Sequence, residues 1–334
     1  MKDIAGLEKF WEQIGDKYAK MHIENLSKIS FVPFIGSGMS VPFGYLTWSN
    51  FLAKIINDFF EPSEREKITA LLKMGKFLEL ADLLNAILGE GVVEEQVRNE
   101  FGSIDINVVS KYKNYLSLLK NKSSIKTFVT TNFDPVIETC IGFSADKVYL
   151  PSNLISCNDV VDKIRYGENC VIKLHGTANQ PASIVFTGKT FESMYKQENT
   201  ALQELIDYLW NKSVFLFLGC GLKRDYLIEH FRDLASKNET NWHYAILPYP
   251  NEGEIVKRRR ELAALKIRPI WYEKGKYEQI LIILSLITGD YDLQEPSETV
   301  GQKSLTESAL IVNNGNVGTQ TMFNIKNLKG NISL

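Results

Sequence analysis

The sequence predicts an α/β fold: a doubly wound, Rossmann-like parallel sheet with a largely helical insertion and a small β-rich C-terminal tail. Three observations predict it. Short apolar runs alternate with helical stretches along most of the chain, the pattern of strand–helix–strand crossovers. Some runs are continuously apolar, as in Val214-Phe215-Leu216-Phe217-Leu218, which suits strands covered on both faces. Four runs end in compact segments, Gly36-Ser37-Gly38, Thr130-Thr131-Asn132-Phe133-Asp134, Lys173-Leu174-His175-Gly176 and Gly219-Cys220-Gly221. In parallel strands these fall on one edge of one sheet, where open α/β sheets bind ligands, so the four read as one site.

Residues 1 to about 25 place Leu7, Phe10, Trp11, Ile14 and Tyr18 on one stripe, which predicts a leading amphipathic helix. The run 29–35, stopped by Gly36 and Gly38, predicts a buried strand entering a tight turn. Thr47 suits the N-cap of a helix over 47–60 with apolar positions Trp48, Phe51, Leu52, Ile55 and Ile56. Helical periodicity continues over 64–74, 78–88 and 93–101, so about 48–120 is a largely helical insertion, a candidate lid. Further strands are expected at 127–131, 170–174, 214–218, 243–247 and 267–272, with helices such as 202–210 and 226–234 between them. The globular pattern, 1–288, stops there; 289–309 is polar and reads as a linker. Asn-Gly turn signals between alternating runs in 310–334 predict one or two β-hairpins. Hairpins that small are marginal alone, so this tail is expected to join subunits or dock a partner.

The 334 residues carry 38 Lys and Arg against 40 Asp and Glu, a net charge of −2. Such a balance gives no field for nucleic acid or an anionic membrane as the main ligand. The amino end lacks a secretory h-region and the most apolar late stretch, 280–287, is too short to span a bilayer, so a cytoplasmic protein is expected. Cys140, Cys157, Cys170 and Cys220 lack the C-x-x-C pairing of zinc ribbons, so no structural zinc is expected.

Gly36 and Gly38 either let backbone N–H groups approach a phosphate, with Ser37 and Ser40 as hydroxyl donors, or form a plain tight turn. Val41 stands where the dinucleotide fingerprint has its third glycine. Asn132 offers a carbonyl and an amide, and Asp134 accepts from hydroxyls; alternatively Thr131 or Asp134 caps the next helix. His175 lies at a strand end beside a glycine, and an imidazole near its ordinary pKa of ~6.5 takes a proton from a sugar hydroxyl or water at neutral pH. His22, His230 and His243 fall inside helix or strand patterns and read as structural. Gly219 and Gly221 permit close approach of a base or ribose, while Arg224 and Asp225 are either ligand contacts or a helix-start ion pair. Lys257-Arg258-Arg259-Arg260, with Glu252, Glu254 and Glu261 nearby, reads as a solvated helix face.

Over about residues 30–272, the order of segments resembles the sirtuin superfamily. Gly36-Ser37-Gly38-Met39-Ser40 looks like its first Gly-rich turn, Thr131-Asn132-Phe133-Asp134 like its Asn-containing motif, His175-Gly176 like its catalytic His-Gly, and Gly219-Cys220-Gly221 like its late ribose-side turn. The scattered cysteines depart from the zinc module of protein-deacylating sirtuins, and Pro42-Phe43-Gly44-Tyr45-Leu46-Thr47-Trp48 replaces their acid-bearing loop. The chain is more similar to the zinc-free, sirtuin-like NAD hydrolases of bacterial anti-phage defence, the effector of Thoeris systems among them. That resemblance implies an NAD glycohydrolase releasing nicotinamide and ADP-ribose, with NAD as substrate and neither cofactor nor zinc. It implies His175 as catalytic base or orienter and Asn132 as the residue positioning the nicotinamide ribose and the attacking water. Gly36, Ser37, Gly38 and Ser40 would hold the diphosphate, with Thr131 and Asp134 beside them, and Gly219, Gly221 and Asp225 would line the adenosine side. Two other readings stay open: a catalytically silent NAD or ADP-ribose sensor, and a zinc-free deacylase or ADP-ribosyl transferase. A toxic NADase must be restrained, so a homo-oligomer and an activating defence partner or phage-derived trigger are expected.

Overall fold

A computed structural model of the chain describes residues 4–112, 114–122, 124–195, 200–222, 226–237 and 241–290. The chain divides into two units, Met1–Glu298 and Thr299–Leu334. The tail expected over 310–334 lies outside the described residues, as does the linker beyond 290.

Among the described residues, seven parallel strands build the sheet: β1 Val32–Ile35, β2 Thr127–Thr130, β3 Val148–Tyr149, β4 Cys170–Lys173, β5 Phe215–Leu218, β6 His243–Pro248 and β7 Ile267–Tyr272. Their spatial order is β3-β4-β2-β1-β5-β6-β7. Every residue of β1, β2, β4 and β5 is buried, as strands covered on both faces must be. Pro33 is tolerated in a central strand because of where its missing N–H would point. Val32 and Gly36 donate toward β5, to Val214 and Leu218 carbonyls, so the alternating Pro33 position faces β2, whose pairing with β1 begins only at Phe34.

The helices pack in two series. Ile4–Gln13 and Ala19–Lys28 contact β7, and the second of them packs on Glu278–Thr288, which meets Asn114–Asn121 and, through it, Val136–Ile141. The other series runs from Cys157–Arg165 through Ala201–Lys212 and Tyr226–Lys237 to Ile255–Ala264. Right-handed crossovers put connections leading in opposite directions from β1 on opposite faces, which makes the sheet doubly wound. Among the described residues, six helices from Trp48–Phe59 to Asn114–Asn121 occupy the interval between β1 and β2. Thr47 caps the first of these, its side chain accepting from the Asn50 amide.

Two expectations change. The leading helix is two helices, because Gly15 adopts φ +64° and the Asp16 side chain accepts from the Tyr18 amide at 3.0 Å, turning the chain before Ala19. Tyr18, expected on the buried stripe, is 60% exposed as a result. The seventh strand, β3, is not among those the sequence predicts; its two residues give too short an apolar signal, and pairing with β4 creates it. No helix of the described residues is long and apolar enough to cross a membrane.

Candidate active site

The strand order puts the four segments on neighbouring strands, β4, β2, β1 and β5, at their carboxyl ends. Strand β1 stands between β2 and β5, where the winding reverses, which is the topological switch point of such sheets.

The two glycine turns meet there and account for each other's composition. Gly36 N donates to Leu218 O at 2.8 Å and Gly38 N to Gly219 O at 3.0 Å. A Cβ on Gly36 would lie 2.7 Å from both Cys220 Sγ and Gly219 O, and one on Gly219, already at φ +65°, would lie 2.5 Å from Met39 N. These glycines are therefore dictated by turn-on-turn packing. Met39 N and Ser40 N donate to the Gly36 and Ser37 carbonyls, so the amides of Gly36, Gly38 and Ser40 already have acceptors inside the protein. Of the expected phosphate-side groups, Gly38 is exposed and Ser37 half-buried, its Oγ accepting from Trp48 N at 3.4 Å.

Ser40, 1% exposed, belongs to a buried polar chain. Asn132 Nδ2 donates to Ser40 Oγ at 3.0 Å, and the Ser40 hydroxyl donates to the Asp134 carboxylate. This sequence of donors fixes the Asn132 amide with its nitrogen inward. Thr130, one of the polar groups that crowd this strand end in the sequence, is satisfied there: its hydroxyl donates to Ile35 O at 2.7 Å and accepts from Asn132 N at 3.0 Å. Thr131 is half-buried beside it. Asp134 does not occupy the N-cap of the helix Val136–Ile141, which is Pro135; its Oδ1 accepts from Val136 N at 3.1 Å in a local turn one residue earlier. At 4% exposure it supports Asn132 from behind instead of facing a ligand hydroxyl. Burial raises its carboxyl above the ordinary range, opposed mainly by the charge of Lys173. Lys173, fully buried on β4, donates to Asp134 O at 2.6 Å and to Glu138 Oε1 at 2.7 Å. Sequence reasoning misses this lysine, although a charged residue inside an apolar strand is a usable signal.

His175 follows on the loop after β4. Gly176 has φ +85°, and Ser183 O would lie 2.0 Å from a Cβ there, so only glycine fits after the histidine. Val185 N donates to His175 O at 2.9 Å, while Ala178 N and Thr177 Oγ1 both donate to Phe133 O, pinning the His175 loop to the Asn132 segment. The imidazole packs edge-on to Phe191 with ring centroids 4.7 Å apart, and its Nε2 is shut from solvent with no hydrogen-bond partner. Burial pushes its pKa down to about 3, so the ordinary value expected from the sequence does not hold. Over the insertion side, Trp48, Phe101, Phe133 and Phe186 form an aromatic wall with centroid spacings of 5.2 to 6.1 Å.

Gly219 and Cys220 are half-buried and Gly221 is exposed at the end of β5. Arg224 and Asp225 lie outside the described residues. The other histidines are structural, as expected: His22 Nδ1 lies 3.3 Å from Pro269 O, His230 Nε2 lies 2.6 Å from Asp207 Oδ1, and His243 Nδ1 accepts from Phe215 N at 3.1 Å. Among the described residues, no group of three or more His, Cys, Asp or Glu side chains is placed to hold a metal ion. The four cysteines are thiols outside any disulfide.

Burial also pushes His243 down to about 3. Both imidazoles stay neutral in the fold while the unfolded chain protonates below pH ~6.5. Stability is then unaffected above that pH and falls as pH drops from ~6.5 toward 3, by up to about 1.4 kcal/mol per pH unit for each histidine. NMR titration should show both rings neutral at pH 5; midpoints near 6.5 would contradict the burial argument.

A family model described as "SIR2-like domain" matches residues 126–270. The chain is 25% identical over 239 residues to the NAD(+) hydrolase ThsA of Acinetobacter baumannii (strain 532279), covering 70% of this chain and 45% of that protein. Its identity to the NAD(+) hydrolase ThsA of Enterococcus faecium is 25% over 235 residues, covering 68% and 45%. For the protein of that name from Bacillus cereus (strain MSX-D12) it is 22% over 225 residues, covering 64% and 42%. The chain spans under half the length of these relatives.

Proposed function

We propose, from the SIR2-like domain this chain carries, that the protein is an NAD glycohydrolase that releases nicotinamide and ADP-ribose using water as acceptor. The observation carrying it is the convergence of four strand-end segments at the switch point, with the loop after His175 tied to the Asn132 segment through Ala178 N and Thr177 Oγ1 on Phe133 O. Similarity to proteins named NAD(+) hydrolase supports the same substrate.

In this reading the C1′–N bond breaks with its electron pair going to the nicotinamide nitrogen, and water bonds to the oxocarbenium-like C1′, losing one proton. The cationic pyridinium leaves as a neutral molecule, so no acid is needed for departure. Asn132, with its amide nitrogen held by Ser40, presents the carbonyl oxygen to the attacking water or a ribose hydroxyl. A neutral His175 would orient the same hydroxyl or water once its Nε2, shut from solvent in the fold, becomes accessible to it; with a pKa of about 3 it is a weak base until a ligand changes its surroundings. The aromatic wall would exclude bulk water from the reacting centre. Gly36, Ser37, Gly38 and Gly221 would line the nucleotide side of the crevice.

The reading extends to NAD depletion in bacterial anti-phage defence, in the cytoplasm, with the tail 310–334 joining subunits or docking a partner. Chromatography of NAD incubated with purified protein, with and without extract of phage-infected cells, should show nicotinamide and ADP-ribose in equal amounts, unaffected by chelator. NAD bound but intact under both conditions would favour the sensor reading. Acyl-lysine-dependent nicotinamide release would favour the deacylase.

A further inference from the structure

We infer that Arg258 is a positioning residue for nucleotide binding, clamping the turn after β5 from a helix whose charge pattern predicts a wholly solvated face. The ligand role rests on the proposed function; the clamp itself does not. Arg258 lies on Ile255–Ala264, the crossover between β6 and β7. Its neighbours Lys257, Arg259 and Arg260 are on the solvent side, with Lys257 and Arg259 exposed. Arg258 instead turns inward: Nη2 donates to Gly221 O at 2.7 Å and Nη1 to Leu222 O at 3.2 Å, with Glu261 Oε2 at 3.4 Å from Nη1. One planar fork thus holds two successive carbonyls, which a lysine cannot reproduce.

The turn needs such a hold. Gly219 has φ +65° and Leu222, a branched residue, has φ +46°, a conformation that costs of order 1–3 kcal/mol unless the surroundings impose it. Leu222 is 7% exposed, so its side chain is anchored in the core while its carbonyl is anchored by Arg258. Gly219 in turn fills the space against Gly36 and Met39, so displacement of this turn moves the wall of the switch-point crevice. The guanidinium lies behind that wall and acts through the backbone of Gly221 and Leu222. It therefore governs how well the nucleotide is held and leaves bond cleavage at the β2 and β4 ends untouched.

The test compares full-length wild type with Arg258→Ala, Arg258→Lys and, as a charge control on the exposed face, Arg259→Ala. Hydrogen–deuterium exchange at amides 219–222 should accelerate at least tenfold in Arg258→Ala and be partly restored by Arg258→Lys. KM for NAD should rise roughly tenfold with kcat within twofold, the pattern of lost uniform binding. Arg259→Ala should match wild type in both. Unchanged exchange in Arg258→Ala overturns the clamp. Accelerated exchange with unchanged KM, or with kcat falling in place of KM, overturns the positioning role and leaves a structural one. If wild type neither binds nor cleaves NAD, the proposed function fails, and with it the ligand role, while the exchange arm still decides whether the clamp exists.

Discussion

Replacing His175 with alanine is expected to lower NAD turnover by roughly 10²- to 10⁴-fold, the usual effect of losing one positioned proton-handling group. The loop of His175 is fixed by Val185 N on its own carbonyl and by Gly176 against Ser183, while its Nε2 is shielded and lacks a partner. A buried polar atom in that condition costs free energy unless something fills it. Bound substrate or its water would. Truncation removes an edge-on ring pair with Phe191, so the melting temperature should move by only a few degrees while kcat collapses. Near-normal rates in a variant with a wild-type melting temperature would remove His175 from the mechanism. Asn132→Ala should give a loss of similar size, because it removes the carbonyl that the Ser40 and Asp134 chain holds in place.

Lys173→Met is expected to destabilise the protein by about 3–5 kcal/mol, the range for removing one partner of a buried ion pair. The lysine is fully buried, and its ammonium serves both Asp134 O and Glu138 Oε1. Glu138 has a side chain only 16% exposed and an Oε2 already without a partner, so the variant would strand a carboxylate in the fold. Removing both charges in Lys173→Met/Glu138→Leu should recover most of the loss, since the desolvation cost of the carboxylate goes with it. Urea denaturation of the two single variants and the double gives the coupling directly. A loss below about 1 kcal/mol in Lys173→Met would show that this pair does not anchor the β4 end. The lysine also provides the main charge opposing burial at Asp134, so the variant should push that carboxyl further up and loosen the Ser40–Asn132 orientation. Reduced turnover in the folded fraction is the expected companion.

What the sequence determined by itself is the parallel α/β architecture and the convergence of four segments on one sheet edge. Both follow from local patterns, apolar runs ended by Gly or polar groups and separated by helical periodicity, once right-handed crossovers are imposed. The Thr47 cap was equally legible, because a cap is made by residues three apart. The position of His175 just past the end of β4, beside Gly176, was legible in the same way. Tertiary structure alone decided everything that depends on remote pairing or on solvent access. Gly36 and Gly219 are glycines because each turn occupies the other's side-chain space, a relation set by β1 lying next to β5. Lys173 stands out in sequence as a charge inside an apolar strand, but its partner Glu138 and the clamp Arg258 look like ordinary charges, and only the packing of other elements makes the first two a buried pair and the third a clamp. Likewise, His175 has an ordinary imidazole in sequence and a pKa of about 3 in the fold, since desolvation comes from neighbours that no local window contains.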